Sequence, residues 1–519
     1  MSTASTASSP ELPPHGGGEA HGGMVKSLSL WNYFTMGFGA IIGTGWVLLV
    51  GDWMILGGGP VEAMIAFVLG AVFLLPIGAV FGELTCAIPI SGGIVEYVDR
   101  TFGPTAAHIT GWFLSLGNGI LCPWEAIAIS SLLATMWSRL DGFGWLTGVK
   151  LYDIAGSSVY LWPLLISEAV CVLVIALNFR GASAAAKLSS FLSKALLAGM
   201  VLAMVVSLFK GGPGNLMPLF AKVEAAQSGS ASGAVTTAGS FLPGVLAVLV
   251  MTPFFYTGFD TIPQSAEEAS EGLDWKKFGM VISASLLAAG LFYVFCIYAF
   301  GTIFPWRQSV AMPVPALASI EKISMWFYLP MLVIGTLGPL GPMNSFYGAS
   351  ARIMLAMGRK GYLPKSFASI DGRTGTPKTA NIVLAVATVI GPFLGGNLLI
   401  PLTEVSSLSF VFACTMAAAA CMKMRWSEPD LPRPYTVPGG KIGIGLAIAA
   451  GAVIIALQVL PFSPAALKPT SWVIVVVWVV LGGGAAPDGP PRETGVSGAG
   501  AGATSPSGCA GRRRRRTRP

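Results

Sequence analysis

The chain has 519 residues, of which 53% are hydrophobic and only 11% are charged, and its mean hydropathy is +0.70. A soluble protein of this size carries about a quarter charged residues. This composition excludes an ordinary soluble domain and indicates a polytopic, all-α membrane protein. The formal charge of +7 is largely a property of the C-terminal tail, since seven of the 31 basic residues lie there. We expect no nucleic-acid partner.

The cysteines and histidines give no sign of a metal site or a disulfide framework. The seven cysteines show no paired spacing, and most lie inside apolar segments. Such cysteines behave as small buried hydrophobic residues. Only three histidines are present, and two of them lie in the polar N-terminal region. We therefore expect neither a metal ion nor a cofactor.

The two ends of the chain differ in composition from the rest. Residues 1–25 are rich in Ser, Pro, Gly and His and lack a basic segment, so we expect a disordered tail and an uncleaved first span. Residues 485–519 are of low complexity and end in an arginine cluster. This second tail could contact anionic lipid headgroups. A shifted reading frame in GC-rich coding sequence would give the same composition, and both readings stay open.

Membrane spans are predicted from apolar segments of roughly 20 residues, the length that crosses the hydrocarbon core. Twelve such segments occur, the last being the shortest. They lie at residues 29–51, 60–82, 108–137, 159–177, 187–208, 242–266, 278–303, 328–357, 380–396, 400–422, 443–461 and 471–484.

The orientation of these spans follows from the basic residues between them. If the N-terminus is cytoplasmic, the inner segments hold sixteen Lys and Arg residues and the outer segments hold seven. We therefore predict that both termini are cytoplasmic.

Spans 1 and 6 share an unusual interruption. Span 1 contains "GAIIGTGW" at residues 39–46, and span 6 contains "FFYTGFD" at residues 254–260. Glycine in a helix interior costs about 1 kcal/mol relative to alanine. The two interruptions are five spans apart, an odd number, so a second five-span unit would enter the membrane from the opposite side. This pattern is typical of an inverted repeat whose broken helices form a site at the membrane midplane.

A broken helix in a membrane needs a reason, because unpaired backbone groups in hydrocarbon cost several kcal/mol each. A half-helix N-terminus attracts a carboxylate, and free carbonyl groups attract an ammonium group. Two facing breaks would therefore bind an α-amino acid. In span 1 alone, the GxxxG of Gly39 and Gly43 favours close helix packing, its usual role. The matching break in span 6 favours the binding site.

Six motifs in order resemble the amino acid–polyamine–organocation (APC) family of permeases across roughly residues 26–460. They are "GAIIGTGW", "GELTCAIPISGGIVEYV" at 82–98, "FFYTGFD" with "AEEAS" at 266–270, "RIMLAMGRKGYLP" at 352–364, "TPKTAN" at 376–381 and "RPYTVPGG" at 433–440. The resemblance implies a transporter domain over residues 26–484. It also implies a LeuT-like fold, with two inverted five-helix repeats, about twelve helices in all, and helices 1 and 6 discontinuous.

The resemblance also implies the substrate-binding residues. The carboxylate-binding backbone corresponds to Ile42, Gly43, Thr44 and Gly45, and the segment facing the amine and side chain corresponds to Tyr256, Thr257, Gly258 and Phe259. Phe254 corresponds to an aromatic lid, although it could equally be a simple core residue. Gly117 and Asn118 in span 3 lie where other members have bulk or charge, and we expect them to widen the pocket.

Three ionisable residues inside the spans are functional candidates, because such groups are costly in a membrane. Lys194 in span 5 corresponds to a lysine that replaces sodium in relatives and could carry a proton; a lysine extending to the interface is the alternative. Asp260 could pair with a polar group or steady the unwound backbone. Glu125 follows Pro123, which should kink span 3. Glu125 could carry a proton, recognise a cationic substrate, or be a hydrogen-bonded structural acid.

The sequence therefore predicts a secondary active amino acid transporter of the plasma membrane that works by alternating access, with proton coupling or exchange. It would be a monomer or a homodimer. The main alternative is a permease for polyamines or other cationic amines. A nutrient sensor without transport activity is a remote alternative, expected to carry a folded cytoplasmic domain. An enzyme is not expected, because no nucleophile–base or metal constellation is evident and no GxxxxGK[ST] motif occurs.

Overall fold

The structure is a computed structural model that describes residues 29–90, 92–180, 182–224, 236–264, 266, 269–270 and 272–485. The N-terminal tail predicted at 1–25 lies outside the described residues, as does the C-terminal tail after residue 485.

Twenty α-helices account for most of the described residues. In chain order, α1–α20 are Leu30–Ile41, Gly45–Gly57, Pro60–Ala87, Ile94–Phe102, Pro104–Gly119, Leu121–Thr135, Leu161–Arg180, Ala182–Lys210, Phe241–Leu249, Thr252–Tyr256, Thr261–Gln264, Trp275–Ile303, Trp306–Ser309, Pro315–Ile323, Met325–Leu337, Leu340–Arg359, Lys378–Ile390, Leu399–Ser427, Lys441–Val459 and Pro469–Ala485. Short 3₁₀ turns cover Trp137–Arg139, Gly144–Thr147, Pro213–Leu216, Lys365–Ala368, Gly391–Leu394 and Gly396–Leu398.

Each predicted span contains at least one helix among the described residues. Within the described residues, seven helical stretches are long and apolar enough to cross a membrane, and α1 with α2 forms an eighth span that is bent by 52°. The other four predicted spans contain α8, the short helices α9–α11, α17 and α20. The chain is therefore a polytopic helical membrane protein.

The long helices pack around an aromatic core. Helix α3 begins with Pro60 at its first turn, where a missing N–H costs nothing, and packs along α12. Between them, Trp53 of α2 contacts Phe67 of α3 and Tyr293 of α12, with ring centroids 4.6 and 5.8 Å away. Rings at such distances add about 0.5–1.5 kcal/mol each beyond the area they bury.

Helix α20 is attached to α5 by a reciprocal tryptophan pair. Trp112 Nε1 donates to the Trp478 carbonyl oxygen at 2.8 Å, and Trp478 Nε1 donates to the Trp112 carbonyl oxygen at 3.0 Å. The two rings stack with centroids 4.3 Å apart. The last and shortest predicted span is therefore held by both stacking and hydrogen bonds.

One element departs from the all-α prediction. Strands β1 (Lys150–Ile154) and β2 (Ser157–Tyr160) form an antiparallel hairpin between α6 and α7. The hairpin is anchored to the segment before α18, because Asn397 Nδ2 donates to the Ala155 carbonyl oxygen at 2.6 Å.

Ion pairs tie helix ends together on one side of the bundle. Glu83 of α3 is buried and accepts two hydrogen bonds from Arg425 of α18, at 2.7 and 2.6 Å, and lies 3.3 Å from Arg433. Because a bidentate arginine satisfies both carboxylate oxygens, this buried pair is geometrically well matched.

A second cluster joins α4 to the end of α16. Lys360 Nζ lies 2.6 Å from Glu96 and 2.6 Å from Asp99. Partial burial lowers the pKa of Lys360, but hydrogen bonds and the charges of the two carboxylates outweigh it, so the pKa is raised above its ordinary value.

Candidate functional site

The interruption predicted in span 1 is present. Helix α1 ends at Ile41, and Ile42 takes an extended conformation (φ −88°, ψ 91°). Thr44 is the N-cap of α2, which begins at Gly45. The break therefore leaves the last carbonyl groups of α1 and the first N–H groups of α2 without the partners that a continuous helix would give them.

The interruption predicted in span 6 is also present. Helix α10 ends at Tyr256, α11 begins at Thr261, and Gly258 between them has φ +132°, a conformation that side chains rarely adopt. A Cβ atom at Gly258 would lie 2.6 Å from the Ile41 nitrogen and 2.8 Å from the Ala40 carbonyl carbon. The two broken helices thus touch through their backbones, and only glycine permits this approach.

Asp260 organises the break in span 6. Its carboxylate accepts hydrogen bonds from the Gly258 N–H at 3.1 Å, from Asn118 Nδ2 at 2.8 Å and from Gln264 Nε2 at 3.1 Å. Asp260 is 1% exposed. Asp260 therefore contacts both polar side chains and the unwound backbone, the two kinds of partner considered from the sequence, and its functional role stays a prediction.

Glu125 lies against the break in span 1. Thr44 Oγ1 donates to Glu125 Oε2 at 2.6 Å, and Glu125 Oε1 lies 2.8 Å from the position that a Cβ atom of Gly43 would take. Glu125 is 3% exposed. Span 3 is divided at Ile120 into α5 and α6, with Pro123 in the first turn of α6. Ile120 itself has helical φ and ψ angles, so span 3 continues through this point as one helical stretch, and the kink expected at Pro123 stays a prediction.

The space beside the glycines of span 1 is filled by the protein itself. A Cβ atom at Gly43 would also lie 3.3 Å from Pro342, and one at Gly45 would lie 2.8 Å from Phe255 and 3.7 Å from Trp124. That these glycines make room for a substrate carboxylate stays a prediction. In this conformation they make room for neighbouring side chains.

The aromatic residues of span 6 are all buried. Phe254 packs on Trp124 with centroids 5.3 Å apart, and Phe259 packs edge-on against Phe410 at 5.6 Å. Tyr256 donates its hydroxyl to the Phe67 carbonyl oxygen at 2.8 Å. Tyr256 therefore also supports the contact between α10 and α3.

Two further predicted residues contact their neighbours closely. Thr257 Oγ1 donates to the Pro253 carbonyl oxygen at 2.8 Å, within its own helix turn. Gly117 lies against the backbone of Phe410, since its Cβ atom would be 3.1 Å from that nitrogen, and its carbonyl oxygen accepts from Ser406 Oγ at 2.6 Å. Gly117 therefore allows α5 and α18 to approach, where the sequence suggested extra pocket space.

Lys194 does not lie with the other candidates. Its side chain is exposed on α8. Leu196, about 200° further around the same helix, is buried and lies near the break, since a Cβ atom at Gly338 would be 3.0 Å from Leu196 and 2.8 Å from Thr44.

Sequence reasoning missed Tyr293, whose hydroxyl donates to the Ile41 carbonyl oxygen at 3.1 Å. It also missed Gln264 and Pro342. Tyr293 is one aromatic residue within the apolar segment of α12, and nothing local distinguishes it from a core residue. Only its distance from span 1 in the folded chain reveals its role.

The site is polar and buried. Within the part of the chain that the structure describes, neither Glu125 nor Asp260 forms an ion pair. The same residues contain no group of three or more His, Cys, Asp or Glu side chains placed to hold a metal ion. The arrangement offers backbone donors and acceptors flanked by two carboxyl groups, which suits a small molecule with charged ends.

Comparison with known proteins agrees with this reading. The family described as amino acid permease matches residues 28–484. Among curated proteins, the chain is similar to the branched-chain amino acid permease BcaP of Bacillus subtilis (strain 168), with 24% identity over 88% of this chain and 92% of the relative. It is similar to the methylthioribose transporter of the same organism, with 23% identity over 88% and 92%. It is also similar to cationic amino acid transporter 5 of Arabidopsis thaliana, with 25% identity over 80% and 68%.

These relatives are transporters and not enzymes. The match covers nearly the whole chain and includes both broken helices. The chain therefore belongs to the amino acid permease family of the APC transporters.

Proposed function

We propose that this protein is a secondary active transporter that moves amino acids across the plasma membrane by alternating access. The observation that carries the proposal is the contact between the two broken helices, where Gly258 meets the backbone of Ala40 and Ile41. Half-helix ends that face each other at one buried point provide N–H donors for a carboxylate and carbonyl acceptors for an ammonium group. The family and the names of the relatives support amino acids as the substrate class.

The proposed architecture is LeuT-like, with twelve helices and two inverted five-helix repeats. Two features support it: each of the twelve predicted spans contains helix, and the first and the sixth are interrupted where the sequence predicts a break. The ion pairs of Arg100, Lys360, Arg425 and Arg433 connect three segments predicted to be cytoplasmic, so these segments lie on the same side of the bundle, as the predicted orientation requires. We propose that both termini are cytoplasmic. We also propose a monomer or a homodimer.

Access to the site requires movement of the half-helices. Ile42, Thr44, Thr257 and Asp260 are all buried, so a substrate cannot reach the breaks in this conformation. We propose that α2 with α9–α10 opens one side and α1 with α11 opens the other. The residues of the two breaks are the hinges, because their backbones are already outside the helical hydrogen-bond pattern.

Coupling to protons is proposed for Glu125 and Lys194. The burial of Glu125 and the hydrogen bond that it accepts from Thr44 support this role for Glu125. Lys194 would have to turn toward the break from its exposed position on α8. The test is Lys194→Ala: uptake driven by a pH gradient should fall, whereas uptake that is unchanged would remove Lys194 from the coupling scheme.

A second candidate is a permease for polyamines or other cationic amines. Two buried carboxyl groups without ion-pair partners, Glu125 and Asp260, favour it among the described residues. If Glu125→Gln abolished putrescine or arginine uptake and spared leucine uptake, this candidate would be preferred.

The decisive experiment is uptake into proteoliposomes. A panel of labelled amino acids and polyamines is offered with and without a pH gradient. We expect saturable uptake or counterflow of at least one amino acid. If no member of the panel is taken up or exchanged, the proposed function is wrong.

A further inference from the structure

The anion-attracting end of α2 is already in contact with a carboxyl group of the protein. The N-terminus of α2 begins at Gly45 with Thr44 as N-cap, and Thr44 Oγ1 donates to Glu125 Oε2 at 2.6 Å. The other oxygen, Oε1, lies 2.8 Å from the position of a Gly43 Cβ atom. Glu125 therefore fills the space next to the Gly43–Gly45 turn, which is the place proposed for the substrate carboxylate.

Two ionised carboxylates cannot share this place at low cost. At the effective dielectric constant typical of protein sites, two like charges about 4 Å apart repel each other strongly enough to weaken binding by roughly a thousandfold. A neutral, protonated Glu125 removes the repulsion and can donate a hydrogen bond to the substrate. The half-helix N-terminus then serves the substrate carboxylate.

We propose that the carboxyl group of Glu125 takes the place of the substrate carboxylate at the N-terminus of α2 in the empty transporter. A substrate carboxylate then binds there only when Glu125 is neutral. The inference rests on the proposed function and deepens it. One proton would be bound with each carboxylate substrate, and an analogue without a carboxylate would need none. Glu125 would thus determine both the class of substrate that binds and the way in which substrate affinity depends on pH.

The neighbours of Glu125 allow this role. From its own helix the titratable neighbour is Cys122, and from α12 it is Tyr293. A thiol and a phenol both carry no charge near neutral pH by their ordinary behaviour. Within the described residues, none of the groups acting on Glu125 is a lysine, arginine or histidine. Gly43, Thr44 and Pro342 complete the surroundings and carry no charge.

The test compares amino acids with their carboxylate-free analogues. Equilibrium binding of L-leucine and L-arginine, and of L-leucinol and L-argininol, is measured on the purified full chain between pH 5 and 8.5. The ammonium group of each probe stays predominantly charged over this range. We expect the affinity for the amino acids to fall by up to about tenfold per pH unit once Glu125 ionises. The affinity for the amino alcohols should not show this fall.

Glu125→Gln gives the second arm. A neutral amide of the same shape should bind the amino acids with an affinity that no longer depends on pH. Glu404→Gln is the matched control, because Glu404 of α18 is also buried and accepts a hydroxyl hydrogen bond at 2.6 Å, from Ser471. In the Glu404→Gln protein, the affinity for amino acids should depend on pH as it does in the wild-type protein.

Three outcomes would overturn the inference. The first is an affinity of the wild-type protein for amino acids that does not change with pH, a result that does not depend on whether any variant folds. The second is the same pH dependence for amino alcohols as for amino acids. The third is a monodisperse Glu125→Gln protein whose affinity for amino acids depends on pH as strongly as that of the wild-type protein. If no probe binds at any pH, the proposed function fails, and the inference fails with it.

Discussion

Replacing Gly258 by alanine should separate the two broken helices. The new Cβ atom would lie 2.6 Å from the Ile41 nitrogen and 2.8 Å from the Ala40 carbonyl carbon, and neither backbone atom can rotate away. The φ angle of +132° adds strain for any residue with a side chain. Such strain costs about 1–3 kcal/mol, and overpacking costs a further 1–3 kcal/mol or so. The expected loss of stability is therefore about 2–6 kcal/mol.

The assay is thermal unfolding of the purified protein in detergent, followed by uptake in proteoliposomes. Taking roughly 2 °C per kcal/mol as an upper guide for a chain of this size, the Tm should fall by about 4–12 °C. Uptake should fall as well, because the contact that defines the proposed site is pushed apart.

Gly348→Ala is the matched control. Gly348 lies inside α16, and apart from the local backbone of α16 and the adjacent residues, no atom of the described residues would come within 4 Å of a Cβ atom added there. Alanine is better than glycine in a helix by about 1 kcal/mol, so this variant should keep or raise the Tm. If Gly258→Ala behaves like Gly348→Ala in both assays, the two breaks do not touch and the reasoning is refuted.

Three further expectations concern stability. Trp478→Ala should lower the free energy of unfolding by about 3–5 kcal/mol and make α20 accessible to added protease. The control Trp326→Ala, at a side chain that is 91% exposed, should change the free energy of unfolding by less than about 0.5 kcal/mol. Equal effects of the two substitutions would contradict the anchoring role of Trp478. Glu83→Gln should cost about 3–5 kcal/mol because it leaves partly buried arginine charge unpaired, and Asp153→Asn, which removes only an exposed ion pair, should leave the Tm nearly unchanged. Because the pKa of Lys360 is raised in the folded state, its contribution is complete below the ordinary lysine value and disappears as the pH rises through the folded value. The loss of Tm in Lys360→Met should therefore be equal at pH 7 and pH 9, and a loss confined to pH 7 would be inconsistent with this.

The sequence by itself determined the class of protein and the position of its helices. Apolar length is a local property, since about 20 apolar residues span the membrane whatever surrounds them. The helix interruptions could also be predicted from the sequence, because glycine and polar residues weaken a helix locally, at their own positions. Thus the breaks at Ile42–Thr44 and Thr257–Asp260 lie where the sequence places them.

The tertiary structure alone decided what surrounds the breaks. Glu125 meets Thr44 across 81 residues of sequence, and Asn118 meets Asp260 across 142. No local pattern encodes such a pair, because each contact depends on how separate helices pack. Packing turned Gly117 into a contact point with Phe410 and left the side chain of Lys194 exposed. A glycine in the sequence shows only that a side chain is absent, and the folded chain decides which group takes the space.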